Sequence, residues 1–171
     1  MNNVIFITWE KHQRKRTICA KLGISLHEKL SACRGIKRYL SLGVATIKTI
    51  SAEKPKVLIT QNPSVILCLL ALVLRPFYKY RLFIDAHNEA VIPYIHNKAL
   101  FRFIAKYLAK KADLVIVTNS ILAQTITSYG GRPIIFPDLL PIAKHETQQQ
   151  TLSDKKHFQI TLISTYAPDE P

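Results

Sequence analysis

The chain has 171 residues, 48% of them apolar and 20% charged, which suits one soluble globular domain. Its 24 lysines and arginines outnumber its 11 aspartates and glutamates, for a formal net charge of +13, so we expect an anionic partner. The longest apolar run, residues 65–74, is shorter than the roughly 20 residues of a membrane-spanning helix. No basic region precedes the apolar opening, which argues against a secretory signal.

Short β-branched runs alternate with helical patterns along the chain. The runs predict strands at residues 4–8, 24–26, 56–60, 81–84, 114–118 and 133–136. Apolar residues at three- and four-residue spacing predict helices at residues 14–22, 35–52, 64–74, 100–111 and 120–129. This alternation predicts βαβ units, and hence a Rossmann-like α/β domain over residues 1–141, with a parallel sheet of about six strands and helices on both faces.

The composition changes after this predicted domain. Residues 142–157 are polar, without an apolar period, which predicts a linker. Residues 158–171 then have the pattern of a strand and a turn. We interpret them as the beginning of a second domain that is truncated here.

Three cysteines, Cys19, Cys33 and Cys68, lack the spacing of a zinc site and are odd in number. They predict reduced, buried thiols and a cytoplasmic protein. The six histidines have no metal-ligand spacing either, so we expect no metal and no cofactor.

Ligands of open α/β sheets bind outside the carboxyl ends of the strands, so the polar residues there are the candidate site. The candidates for substrate binding are Trp9, Lys11, His12, Arg14, Asn62, Asp85, Asn88 and Asn119. Asn119 is also expected to cap a helix. The glycines form neither a dinucleotide fingerprint nor a Walker A loop.

Five motifs follow one another along the chain. They are Trp-Glu-Lys-His after the first strand, Asp-Ala-His-Asn at 85–88, ADLVIVTNS at 112–120, LLP at 139–141 and ISTYAPDEP at 163–171. Together they resemble the N-terminal half of the retaining GT-B glycosyltransferases of family 4. The resemblance implies a domain that binds the acceptor, and a second domain that binds most of a nucleotide-sugar donor. It implies transfer to a glycan or lipid-linked acceptor in polysaccharide or glycoconjugate synthesis, with His87 facing the cleft as a catalytic residue.

The chain departs from this family after its first strand, where residues 9–14 replace a glycine-rich turn. Lys11 and Arg14 are then expected to border the cleft and meet an anionic acceptor, while Lys15 is solvated. Trp9 either stacks on a sugar ring or lies in the core. His87 either hydrogen-bonds a sugar hydroxyl or, with Asp85, fixes the following loop.

Other classes of protein remain as alternatives. The basic charge suits a nucleic-acid-binding protein, but no known nucleic-acid-binding motif is present, and we expect no nucleic-acid partner. A non-catalytic α/β binding module is the third hypothesis.

An anionic membrane surface is a further possible partner, which would make the protein peripheral on the inner face of the membrane. Residues 64–81 have the composition of an interfacial segment, although a buried crossover helix explains them as well.

Overall fold

A computed structural model describes residues 3–11, 13–62, 64–91 and 98–137. Its strands are β1 (Val4–Thr8), β2 (Ser25–Glu28), β3 (Val57–Asn62), β4 (Arg81–Ala86), β5 (Leu114–Val117) and β6 (Pro133–Ile135). Its helices are α1 (Gln13–Leu22), α2 (Gly35–Glu53), α3 (Val65–Tyr78), α4 (Asn88–Val91), α5 (Lys98–Lys111) and α6 (Ser120–Ser128).

The six strands form one parallel sheet in the order β2-β1-β3-β4-β5-β6. The first strand lies inside the sheet, with Val4 opposite Val57 of β3 and Ile5 opposite Ser25 of β2. The predicted Rossmann-like α/β fold is therefore confirmed.

Most helices cover one face of the sheet. Alternate strand residues point to opposite faces, and one set packs in a common core with α2, α3, α5 and α6. Leu42 of α2, Leu67 of α3, Leu108 of α5 and Leu122 of α6 belong to this core. These helices therefore form a single layer over the strands.

The opposite face is covered by α1 among the described residues. Phe6 of β1 and Ile59 of β3 pack there with Cys19 of α1. Phe83 of β4 and Ile116 of β5 join this smaller cluster as partly buried residues. The prediction of helices on both faces is confirmed, with very unequal layers.

The observed element bounds differ little from the predicted ones. The helix predicted to end at residue 74 continues to Tyr78 and includes Pro76. The short helix α4 follows β4 and was not predicted. The predicted linker and the start of a second domain, residues 142–171, lie outside the described residues.

The residues at the two ends of α6 adopt the conformations and contacts that their types favour. The Asn119 side chain accepts a hydrogen bond from the Leu122 amide at 3.0 Å, which confirms the predicted cap. At the other end Gly130 has a φ of 79°, in the left-handed region that glycine adopts without strain. A β-carbon on Gly131 would lie 2.8 Å from the Ala109 carbonyl oxygen, so only glycine allows this approach between α6 and α5.

Candidate functional site

The strand order places the candidate site at the carboxyl ends of β1 and β3. From β1 the chain moves to β2 on one side, and it then crosses back to β3 on the other side. Such a reversal leaves a crevice at the carboxyl edge of the sheet, where ligands of open α/β sheets bind. The residues at these strand ends therefore determine which ligands the carboxyl edge of the sheet can bind.

A hydrogen-bonded network joins β1 to β3 at this edge. The buried Thr8 hydroxyl donates to the Gln61 side-chain oxygen, and it accepts from the Glu10 amide at 3.2 Å. The Gln61 side-chain nitrogen donates to the Glu10 carboxylate at 3.3 Å. Because a carboxylate only accepts, this contact fixes the orientation of the amide. The exposed Glu10 carboxylate is held at the crevice as a result.

Asp85 and His87 form the second part of the edge, at the end of β4. The His87 Nε2 lies 3.6 Å from the Asp85 Oδ2, and the carboxylate is only 2% exposed while the imidazole is 25% exposed. The His87 amide donates to the Asn62 carbonyl at 3.3 Å, and the His87 carbonyl accepts from Ala90 of α4. The backbone and the buried carboxylate together hold an imidazole that still faces solvent.

The position of Lys15 corrects a prediction. This side chain was expected to be solvated, but it is 0% exposed. Lys15 precedes Cys19 by one helical turn, so it shares the face of α1 that packs on the sheet. The sequence pattern had suggested the opposite because it left the rotation of α1 about its axis open.

The α1 side of the sheet therefore carries a buried polar cluster. Thr8, Gln61 and Asp85 come two residues after Phe6, Ile59 and Phe83 on the same strands, so they point to the same side as those α1 contacts. Lys15 of α1 is buried on this side as well. A buried ammonium and a buried carboxylate therefore lie on the same side of the sheet.

Trp9 lies in the core, as one of the two interpretations of the sequence predicted. It is 3% exposed, and its indole nitrogen donates to the Thr46 hydroxyl at 3.0 Å. Its indole N–H is therefore already engaged within the protein. One edge of the residue still lines a groove of about 430 Å³ with Glu10, Arg38 and Tyr39. We call this the end groove.

The remaining candidate residues are dispersed over the edge. Lys11 and Asn88 are exposed, and Asn119 is exposed but occupied as the cap of α6. His12 and the Arg14 side chain lie outside the described part of the structure.

Asn62 is buried at the end of β3, beside a very small apolar cavity of about 10 Å³ between the sheet and α5. Within the described residues its side-chain oxygen has no hydrogen-bond partner. A cavity of this size holds at most one water molecule. Asn62 is therefore shielded from a ligand in the crevice.

The site residues chosen from the sequence did not include Thr8, Glu10 and Gln61, although Glu10 and Gln61 were expected at this edge of the sheet. Their contacts join residues about 50 positions apart, so local sequence patterns do not show that these side chains meet. The signal that would have found them is a glutamine inside an otherwise apolar strand, since an amide buried in a sheet needs a partner.

The cysteines are free thiols, and two of the three were correctly predicted to be buried. Burial, with a smaller contribution from the Asp85 charge, raises the pKa of Cys19 to about 11. Burial also raises the pKa of Cys68 to about 12. Cys33 is exposed, contrary to the prediction. The two thiols nearest the site are therefore poor nucleophiles.

The edge offers carboxylates, an amide and an imidazole to a ligand. Across the described ranges, no group of three or more histidine, cysteine, aspartate or glutamate side chains is arranged to hold a metal ion. The groups present suit hydrogen bonding to hydroxyl groups. Comparison with protein-family models and with curated proteins finds no match to this chain.

Proposed function

We propose that this chain is the acceptor-side half of a retaining GT-B glycosyltransferase, which transfers a sugar from a nucleotide-sugar donor to a glycan or lipid-linked acceptor. The main support is the convergence of Glu10, Gln61, Asp85 and His87 from three adjacent strands at one crevice. Ligand sites combine such polar groups with an apolar wall, which the end groove supplies here.

In this proposal His87 is the catalytic residue and contacts a hydroxyl of the transferred sugar. Asp85 is a positioning residue, because a buried carboxylate beside an imidazole favours one tautomer and one ring orientation. Glu10 hydrogen-bonds the acceptor, and the exposed Lys11 attracts an anionic group on it. The donor phosphates bind mainly to a second domain, in accord with the lack of a phosphate-binding glycine loop.

The decisive experiment measures transfer by a protein that includes the proposed donor-binding domain. His87→Ala is expected to lower kcat about a hundredfold, because it removes a contact to the reacting sugar. His27→Ala is the matched control, since this imidazole is similarly exposed but lies near Glu53 instead of Asp85. If the His87 variant keeps wild-type turnover and circular dichroism shows an intact fold, then His87 has a structural role and not a catalytic one.

The chain by itself should bind donors weakly and transfer no sugar. Calorimetry with UDP-sugars and GDP-sugars tests this directly. Micromolar affinity for a donor would show that the donor site lies in this domain, against the proposal.

A further inference from the structure

Helix α3 lies in the outer layer of the domain but lacks a polar face. No polar side chain other than Cys68 occurs between Val65 and Leu74. The buried positions, such as Leu67, face the sheet, while Val73 and Phe77 on the outer side are 65% and 75% exposed. A helix at a protein surface normally turns charged or polar residues outward. The outer side of α3 is therefore an apolar surface that another apolar medium can cover.

Helix α2 extends this surface on one side of α3. Ile36, Leu40 and Val44 are exposed and follow one another at helical four-residue spacing. They line a groove of about 470 Å³ together with Ile66 and Leu70 of α3. The apolar stripes of the two helices thus lie next to each other.

Helix α5 extends the surface on the other side. Tyr107 and Lys111 of α5 line a second groove, of about 400 Å³, together with Val73 and Pro76 of α3. Phe103 precedes Tyr107 by one turn and is exposed. We call the exposed side chains of α2, α3 and α5 that flank these two grooves the apolar face.

Most of the charges around the apolar face are positive. Helices α3 and α5 contain no acidic residue, and α2 contains only Glu53, at its last position. Exposed cations lie on α2 and α5, namely Lys37, Lys48, Arg102, Lys106, Lys110 and Lys111, and Arg38 of α2 is half-buried. Arg75 of α3 is not counted with them, because it bonds Asp113 at 2.7 Å. The face therefore combines apolar side chains with a cationic surround.

We infer that the apolar face docks on the surface of an anionic lipid membrane. Amphipathic helices that lie in the membrane interface combine large apolar side chains with lysine and arginine, as α2 and α5 do. A second copy of this chain is a poorer occupant, because a twofold interface would set the same cations against each other. Within the described residues no helix is long and apolar enough to span a membrane, so docking here is interfacial.

This inference does not depend on the proposed transferase activity. It also names a different surface from Lys11 and Arg14, which the sequence suggested for anionic partners. The end groove adjoins the apolar face, because Ile66 lines both the end groove and the groove between α2 and α3. A chain docked in this way holds the end groove close to the lipid headgroups.

The test is sedimentation of the full chain with vesicles of phosphatidylcholine alone or with 30 mol% phosphatidylglycerol, over a salt series. Binding is expected to need the anionic lipid and to weaken as salt rises, because salt screens charge attraction. Leu40→Glu is expected to weaken binding at least about tenfold, since it removes apolar burial and adds repulsion. Lys110→Gln is expected to weaken it about fivefold.

Matched controls lie on α1, on the other side of the sheet. Leu22 is 54% exposed and Leu40 is 65% exposed, so Leu22→Glu makes the same chemical change away from the apolar face. Lys21→Gln serves in the same way for Lys110→Gln. Both controls should bind vesicles like the unmodified chain. All four positions are exposed, so the variants should fold, which circular dichroism checks.

A second readout uses Trp9, the only tryptophan, which lines the groove between α2 and α3. Lipids brominated on their acyl chains should quench its fluorescence in the docked state. Equal loss of binding in Leu22→Glu and Leu40→Glu would overturn the inference, and so would absence of vesicle binding. A dimer in sedimentation velocity that Leu40→Glu dissociates without lipid would overturn it in favour of self-association.

Discussion

The hydrogen bond between Thr8 and Gln61 should be measurable as a coupling free energy. The pair joins β1 to β3 in the buried part of the site edge. Thr8→Val leaves the Gln61 oxygen without this donor, and such a buried loss costs about 1–3 kcal/mol of unfolding free energy. Gln61→Met keeps the length of the side chain but removes the amide, and should cost a similar amount.

The double variant tests whether these losses share one cause. If the bond is real, the double variant should lose about 1 kcal/mol less than the sum of the single variants. Urea unfolding followed by the fluorescence of Trp9 gives all four free energies. Thr60→Val is the control partner for Gln61→Met, because Thr60 is equally buried but contacts Cys68 instead. Additivity within about 0.3–0.5 kcal/mol for Thr8 and Gln61 would refute the network.

Two further predictions concern the exposure of the cysteines and the lowered pKa of His27. The exposed Cys33 thiol should react rapidly with a disulfide reagent at pH 8, while the buried Cys19 and Cys68 should react slowly until urea is added. A rapid phase that remains in Cys33→Ser would contradict this prediction. Burial, followed by the charge of Lys29, lowers the pKa of His27, so the folded state binds fewer protons than the unfolded state. The free energy of unfolding should therefore fall as pH drops below the unfolded value of about 6.5, and fall less in His27→Gln; equal pH dependence in both proteins would argue against it.

The fold was predictable because its signals are local. Each strand of a sheet covered on both faces is a nearly continuous apolar run, and each helix has apolar residues at three- and four-residue spacing. Helix α4 was missed because four residues are too few to show a helical period.

The candidate site was only partly predictable because it depends on contacts between distant residues. The sequence placed Asp85 and His87 at a strand end, where they lie 3.6 Å apart. It did not show that Lys15 is buried, because a small rotation of α1 decides which side chains face the sheet. It also did not show what covers α3, since an apolar helix has the same sequence pattern whether protein or lipid covers it.

The interior position of β1 has a consequence for folding during synthesis. Val4 and Val57 are opposite each other in the sheet, so about 50 residues must emerge from the ribosome before β1 meets β3. Until then β2 is the only described strand available to pair with β1, and the other side of β1 remains unpaired. Closing this long segment makes the pairing of β1 with β3 a slow step. The amino-terminal quarter of the chain should therefore be the region most open to proteases and chaperones while translation continues.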